Sequence, residues 1–281
     1  MKKILITGAN SYIGTSFDNY IKENYPDDYV VDTIDMVDGN WRKKSFAGYD
    51  CVFHVAGIAH QKETKKNALL YYQVNRDLTI ETAKIAKRDG VKQFIFLSSM
   101  SVYGLDTGII TKETKPCPKS HYGKSKWEAE QEIAPLSDEN FKVCVLRPPM
   151  VYGRGCKGNF QTVVKIVKKS PVFPKIKNRR SMIYIDNLSS FVEMCVSRSL
   201  EGIYFPQNRD YVSTASMAHE LSRTFNKRII MDPVTGFWVK LIRLWVPLVK
   251  KAFGSLIYLN TDDFNFSYVV KENEGSFKNS V

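Results

Sequence analysis

The chain has 281 residues, 43% of them hydrophobic and 25% charged, enough apolar side chains to bury one large core or two unequal ones, which argues against a disordered chain. Lys and Arg number 41 against 29 Asp and Glu; the net charge of +12 favours an anionic partner such as a diphosphate, a membrane surface or nucleic acid without choosing among them. Five cysteines (Cys51, Cys117, Cys144, Cys156, Cys195) form no C-x-x-C pair and four histidines are dispersed, so no metal site and no disulfide framework is expected, and reduced thiols in a cytosol are.

The opening run MKKILITGAN has only Ile4, Leu5 and Ile6 consecutively apolar before Thr7 and Gly8, short of a signal-peptide core, and reads as a first strand. Apolar, β-branched runs then alternate with helical patterns, which predicts strands over 3–7, 29–35, 51–55, 93–98 and 142–147 and helices over 70–88 and 124–133, with Gly90 as a stop. This alternation predicts an α/β fold, a Rossmann-like doubly wound parallel sheet. Glycine and proline thicken in RPPMVYGRGCKGNF and SPVFPK, marking a change of organisation. The expected domains are 1–157, with a strand or helix near 181–200 returning to it, and a smaller α+β lobe over 158–281. Further on, GFWVKLIRLWVPLVKKAFGSL is rich in tryptophan and leucine, and Lys240, Arg243, Lys250 and Lys251 would cluster on one side of a helix. Charges and Pro247 interrupt it before about 20 apolar residues accumulate, so it does not span a membrane. Packing against the protein's own core and lying on an anionic membrane surface through 237–257 are both open to it.

The run TGANSYIG (7–14) follows the first strand and opens the first helix, where free N–H groups and the helix dipole can hold a pyrophosphate. About twenty residues on, the second strand ends at Asp35, whose carboxylate could accept hydrogen bonds from both ribose hydroxyls and would repel a 2′-phosphate, so NAD is expected over NADP. Asp32 competes, but it shares a sheet face with Val30 and Ile34; a plain strand-end turn is the other reading of Asp35. Downstream, Y-x-x-x-K occurs as Tyr122 and Lys126 in HYGKSKWEAE, whose helical character puts both side chains one turn apart on one face. A phenol has a pKa of about 10, so a nearby cation is needed to favour phenolate and make a usable base. Taken alone, the pattern equally suits a solvated helix.

Together the motifs resemble the extended short-chain dehydrogenases/reductases of the NAD-dependent epimerase/dehydratase family. T-G-x-x-x-x-x-G resembles that family's T-G-x-x-G-x-x-G, with Ser11 at the middle glycine, where a Cβ alters how closely the backbone approaches the phosphates. DCVFHVAG (50–57) resembles D-x-V-x-H-x-A-A/G, and YYQVN ends in Asn75, which matches an asparagine near the nicotinamide. FLSSMSVYG (96–104) resembles S-S-x-x-V-Y-G and places Ser99 at the catalytic serine. The resemblance runs from residue 3 to about 190, over the strand-helix alternation. It implies that Ser99 orients the reacting oxygen, that Tyr122 moves a proton, and that Lys126 also holds the nicotinamide ribose. It implies a cofactor pocket of Gly8, Asn10, Ser11, Tyr12, Ile13, Gly14, Asp35, Trp41, His54, Val55, Ala56, Gly57, Asn75, Leu97, Ser98 and Pro148 with Tyr122 and Lys126. Substrate contacts are expected from Ser99, Met100, Ser101, Met150, Asn159 and Arg180.

In this family the 4,6-dehydratases carry an Asp-Glu pair after the catalytic hydroxyl residue and GDP-fucose synthases a thiol; Met100 and Ser101 supply neither. What remains resembles UDP-sugar 4-epimerases, which oxidise C4 transiently and return the hydride, with 4-keto-sugar reductases as the alternative. A non-catalytic NAD sensor or scaffold is the rival from another class, and Tyr122 with Lys126 argues against it. NRRSMIYIDNL (178–188) resembles R-x-x-I-x-V-x-D, with Arg180 as a diphosphate clamp, since a planar guanidinium binds oxygens in pairs. Met150 stands where the best-known epimerases carry a phosphate-binding asparagine, and the segment most resembles a branch handling N-acetylated or deoxy sugars for surface polysaccharides. The expected partner is a nucleotide sugar. Nucleic acid is not expected, because no reading motif accompanies the charge. Members of the family are commonly homodimers, as is expected here, and the expected location is cytoplasmic or at the membrane surface.

Overall fold

A computed structural model describes residues 1–59, 61, 63–242 and 245–281. In chain order its elements are β1 (Lys2–Thr7), α1 (Tyr12–Asn24), β2 (Tyr29–Ile34), β3 (Cys51–His54), α2 (Ala68–Tyr72), α3 (Leu78–Arg88), β4 (Gln93–Leu97), β5 (Gly108–Ile110), α4 (His121–Ile133), β6 (Lys142–Leu146) and β7 (Met150–Tyr152). They continue with α5 (Asn159–Lys169), β8 (Val172–Pro174), β9 (Met182–Tyr184), α6 (Ile185–Ser197), β10 (Gly202–Tyr204), α7 (Thr214–Thr224), β11 (Ile230–Asp232), α8 (Pro233–Ile242), α9 (Pro247–Phe253), β12 (Leu256–Tyr258) and α10 (Asn273–Lys278). Met1–Gly104, Lys115–Pro148 and Leu188–Pro206 form one compact unit, and Leu105–Thr114, Pro149–Asn187 and Gln207–Val281 a second. Against the expected boundary at 157, the chain leaves the first unit at Pro148, where a proline nitrogen has no hydrogen to give a ladder. It also visits the second unit over 105–114 and returns at Leu188.

The first unit is built on six parallel strands in the order β10-β6-β4-β3-β1-β2. Five of them, β1, β2, β3, β4 and β6, follow their expected runs to within one residue, and β10 lies where no strand was expected. β3 and β4 are buried along their whole length, as a parallel sheet covered on both faces requires. On one face Val52, Phe94, Phe96, Val143 and Val145 pack with Ala83 and Ala86 of α3 and Ala129 and Ile133 of α4. On the other, Phe17 of α1 meets Phe53 edge to face at 5.2 Å. The chain passes from β2 to β3 across β1, so the direction of growth reverses between β1 and β3. At such a switch point the carboxyl ends of the strands part, and a doubly wound sheet binds its ligand there. The predicted helix over 70–88 is interrupted: α2 and α3 are joined by a π turn at Gln73–Asp77.

The second unit is α+β. It pairs β5 with β12, β7 with β9 and β8 with β11, each in parallel. Its core gathers Tyr152 with Phe160 and Phe277, ring centroids 5.3 and 5.1 Å away. The tryptophan- and leucine-rich segment forms two helices rather than one, α8 and α9. Pro247 supplies no N–H to continue a helix and holds Val246 extended, at φ −109° and ψ 105°. Arg243 lies outside the described residues. Among the described residues no helix is long and apolar enough to cross a membrane, and no cluster of His, Cys, Asp and Glu is arranged to hold a metal ion.

Candidate active site

At the carboxyl end of β1 the turn into α1 is shaped by two glycines. Gly8 has a φ of 111°, and a Cβ there would lie 2.8 Å from the Ala56 amide nitrogen, so only glycine lets the turn pass the end of β3. A Cβ on Gly14 would meet the Ile6 and Val55 side chains at 3.0 and 3.1 Å, so its absence lets α1 rest on the sheet. Asn10, at φ 63°, supplies a left-handed step between them. Ser11 is the N-cap of α1, its Oγ accepting from the Gly14 amide at 3.2 Å. The side chain at the family's middle glycine therefore satisfies one first-turn donor itself, and Tyr12 and Ile13 open the helix behind it. Val55 and Ala56 wall the turn, and both amides donate to the Thr7 carbonyl. Just past β2, exposed Asp35 accepts from the Val37 amide at 2.9 Å, whereas Asp32 takes the Tyr49 hydroxyl at 2.9 Å. A cradle that Cβ atoms would fill, a helix N-terminus above it and an acid at the neighbouring strand end together fit a dinucleotide.

Trp41 and His54, expected in this pocket, belong elsewhere. Trp41 is 1% exposed in the sheet core beside Met36 and Phe46, and its buried indole N–H has no partner among the described residues. It fills the core and does not wall a cofactor. His54 is fully buried, with Nδ1 bonded to the Thr7 hydroxyl at 2.7 Å and Nε2 to the Thr79 hydroxyl at 3.0 Å. Burial lowers its pKa to about 3, so the ring is neutral and both nitrogens are occupied inside the protein.

At the end of β4 the chain presents the reacting groups. Ser120 caps α4, its Oγ accepting from the Gly123 amide at 3.0 Å, so α4 starts at His121, earlier than expected, and Tyr122 lies in its first turn. Ser99 Oγ donates to Ser101 Oγ at 3.2 Å, and the Ser99 side chain lies near enough to the Tyr122 hydroxyl to favour its charged form. One turn on, Lys126 is 4% exposed, donates from Nζ to the Leu97 carbonyl at 2.9 Å and lies 4.6 Å from the Phe96 ring centroid. A Cβ on Gly57 would lie 3.0 Å from Asn75 Oδ1 and 3.3 Å from Lys126 Nζ, so these three residues converge where no further side chain fits. Asn75 sits in the π turn, an irregularity frequent at functional sites. It accepts from the Ile58 amide at 2.8 Å and donates to the Ser125 hydroxyl at 3.3 Å. The Pro148 carbonyl holds the following loop through the Met100 amide at 2.9 Å. Ser101 donates its amide to Ser99 Oγ at 3.1 Å.

The electrostatics differ from the expected priming of phenol by ammonium. Burial raises the Tyr122 pKa, and the nearby Ser99 hydroxyl opposes the rise. Burial also lowers Lys126 to about 7, Glu130 pulling the other way. Because the unfolded chain keeps an ordinary lysine, it binds more protons than the folded chain between pH about 7 and 10, and stability must rise with pH across that window. Lys126→Met is expected to remove this slope, so that wild type gains on the variant by about 1 kcal/mol per pH unit. Urea melts of both proteins at pH 7 and 9 measure it, and an unchanged difference would refute the buried charge.

Four residues here carry no recognisable motif. Glu63 accepts from the His121 and Tyr122 amides at 2.9 and 3.0 Å, using its carboxylate to cap α4 beside the phenol. Tyr71 meets Tyr122 edge to face at 6.4 Å. Glu130 and Arg147, 2% and 4% exposed, form a buried pair that also takes the Ser98 hydroxyl. Ser98 thus faces the protein interior, contrary to its expected cofactor contact. Glu130 was detectable only as an acid one turn after Lys126; its partners, Ser98 and Arg147, lie just past the ends of β4 and β6.

The remaining expected residues lie in the second unit. Met150 is half-buried in β7 and Asn159 is exposed at the start of α5. Arg180 bridges to Val212 and Leu256 through its backbone and donates from Nη1 to the Gly254 carbonyl at 3.0 Å. Burial lowers its pKa, opposed by Asp106.

A doubly wound sheet with a glycine-shaped turn at its switch point and Ser, Tyr and Lys gathered beside it defines an NAD-dependent enzyme of the short-chain dehydrogenase type. The model of the NAD dependent epimerase/dehydratase family matches residues 4–202, and the chain belongs to that family, with NAD as its cofactor. A UDP-glucose 4-epimerase of Vibrio cholerae is 30% identical over 265 residues, covering 85% of this chain and 81% of its own. The N-acetyl-alpha-D-glucosaminyl-diphospho-ditrans,octacis-undecaprenol 4-epimerase of Escherichia coli O157:H7 is 25% identical over 246 residues, covering 80% of this chain and 73% of its own. The fold matches the UDP-glucuronic acid 4-epimerase of Bacillus cereus in complex with NAD, with a TM-score of 0.74 over 99% of this chain and 95% of that one at 18% identity.

Proposed function

We propose that the chain is a nucleotide-sugar 4-epimerase acting on a UDP-hexose or UDP-N-acetylhexosamine. The observation that carries the reading is Tyr122 in the first turn of α4, one turn from buried Lys126, whose Nζ reaches the Leu97 carbonyl two residues before Ser99, with Met100 and Ser101 after Ser99 in place of an acid-base pair. Such a site supports one proton relay and nothing more, which is what inversion at C4 needs and elimination of water does not. NAD, when bound, supplies the hydride acceptor and donor. Ser99 orients the C4 oxygen, Tyr122 takes its proton and returns it, and Lys126 with Asn75 and Gly57 shapes the wall beside them. Asp35 selects the ribose with two free hydroxyls, and Arg180 holds the diphosphate. The names of the Vibrio and Escherichia relatives support a 4-epimerase whose substrate is a sugar on a diphosphate. The reading includes a homodimer, a cytoplasmic setting suited to five free cysteines, and a contact of 237–257 with the membrane.

The test is to incubate the purified protein with UDP-glucose, UDP-N-acetylglucosamine and their 4-keto derivatives. Inversion at C4 without net change in NADH is expected. Stoichiometric consumption of NADH by a ketone, with no inversion, would make it a 4-keto-sugar reductase instead.

A further inference from the structure

The charge of the chain is unevenly placed. The second unit holds 20 lysines and arginines against 10 aspartates and glutamates, a net of +10 out of the chain's +12. From Asn140 to Ile185 there is no acidic residue at all. In the same unit, Val234, Phe237, Trp238, Leu241 and Ile242 of α8 are 63, 58, 57, 41 and 43% exposed, and Trp245 just beyond is 85% exposed. Their spacing, with steps of three and four, is that of one helix face. That face points outward. The residue α8 buries is Gly236, where a Cβ would lie 2.5 Å from the Lys175 carbonyl oxygen, so the helix rests by its narrow side on the chain after β8. Lys175 and Lys177 are exposed on that supporting segment and Lys240 on α8 itself. Nearby, Arg179 and Lys250 line a cleft of about 450 Å³ with Thr107 and Ser255. The acid next to α8, Asp232, is engaged in capping it, accepting from the Val234 and Thr235 amides at 3.2 and 2.8 Å.

We infer that α8 and Trp245 form a docking surface for an anionic lipid bilayer, with Phe237, Trp238, Leu241 and Ile242 entering the acyl boundary and the surrounding lysines meeting lipid phosphates. Apolar and aromatic side chains collared by cations have the chemistry of an interfacial helix. A second copy of this chain suits the face less well, because an isologous contact would bring a unit of +10 against itself. Nucleic acid would answer the charge and leave the apolar stripe in water. The inference rests on the second unit and not on the epimerase reading.

The experiment is co-sedimentation of the full chain with vesicles of equal parts phosphatidylglycerol and phosphatidylcholine, and with vesicles of phosphatidylcholine alone. Binding to the anionic vesicles, weakened by salt, with a blue shift of tryptophan emission, is expected. Phe237→Glu/Trp238→Glu, at two exposed positions where the fold tolerates charge, is expected to weaken partitioning by at least about tenfold while UDP-sugar turnover in solution is kept. Lys240→Glu/Lys250→Glu is expected to weaken binding to the anionic vesicles. Binding unaffected by the apolar double variant would overturn the inference. So would an absence of vesicle binding together with a dimer that this variant splits, which would assign the face to a second copy. Vesicle binding by a protein that epimerises nothing would leave this surface standing and remove the proposed reaction.

Discussion

Tyr122→Phe is expected to lower kcat by about 10²- to 10⁴-fold while leaving NAD bound. The substitution removes one oxygen atom and keeps the ring that packs edge to face against Tyr71 at 6.4 Å. What is lost is the hydroxyl proposed to carry the C4 proton. The turn at Gly8, the first turn of α1 and Asp35 lie on other strands and are untouched, so titration of the apoprotein with NADH should give an unchanged affinity. Since burial holds the phenol above its usual pKa and Ser99 opposes this, Ser99→Ala should lower kcat as well and move the pH at which activity rises upward. Near-wild-type turnover in the phenylalanine variant would remove Tyr122 from the chemistry.

Arg147→Met is expected to destabilise the protein by about 3–5 kcal/mol. Arg147 donates from Nε to both Glu130 oxygens at 3.2 and 3.1 Å and from Nη1 to the Tyr103 hydroxyl at 2.8 Å, and its guanidinium lies 5.3 and 5.4 Å from the Tyr103 and Trp127 ring centroids. Methionine restores part of the volume and none of the charge, so a carboxylate 2% exposed is left without its cation. Replacing both partners, as Glu130→Leu/Arg147→Met, removes the stranded charge and should recover most of the loss. Denaturant melts of the single and double variants at neutral pH measure both. A cost below about 1 kcal/mol for the single change, the size of an exposed pair, would show that the pair contributes little. Because Glu130 also takes the Ser98 hydroxyl next to Ser99, the single variant should lose turnover along with stability.

The parts read correctly from sequence are those whose causes are local. Strand positions followed from β-branched and aromatic runs, the turn at Gly8 from a backbone that admits no Cβ, and the Tyr122–Lys126 pair from one turn of helix. Residues were misplaced where partners come from elsewhere in the chain. His54 looked available for a cofactor because nothing local announces Thr7 and Thr79 on either side of it. Trp41 looked like a pocket wall because a loop between strands gives no sign of being folded into the core. The π turn that sets Asn75 was invisible because a helical period over 70–88 is compatible with one extra residue in a turn.

The sequence by itself determined five strands of the first unit's sheet, the switch-point glycines, the serine, tyrosine and lysine of the candidate site and the family to which the chain belongs, since each depends on residue type at short spacing. Only the tertiary structure decided which polar groups are spent inside the core, that burial raises the pKa of the phenol, and that the apolar stripe of α8 faces outward. A periodic pattern states which side chains share a face. Whether that face is covered depends on what the rest of the chain packs against it, and at α8 a glycine rests on the backbone of Lys175 while Val234, Phe237, Trp238, Leu241 and Ile242 stay exposed.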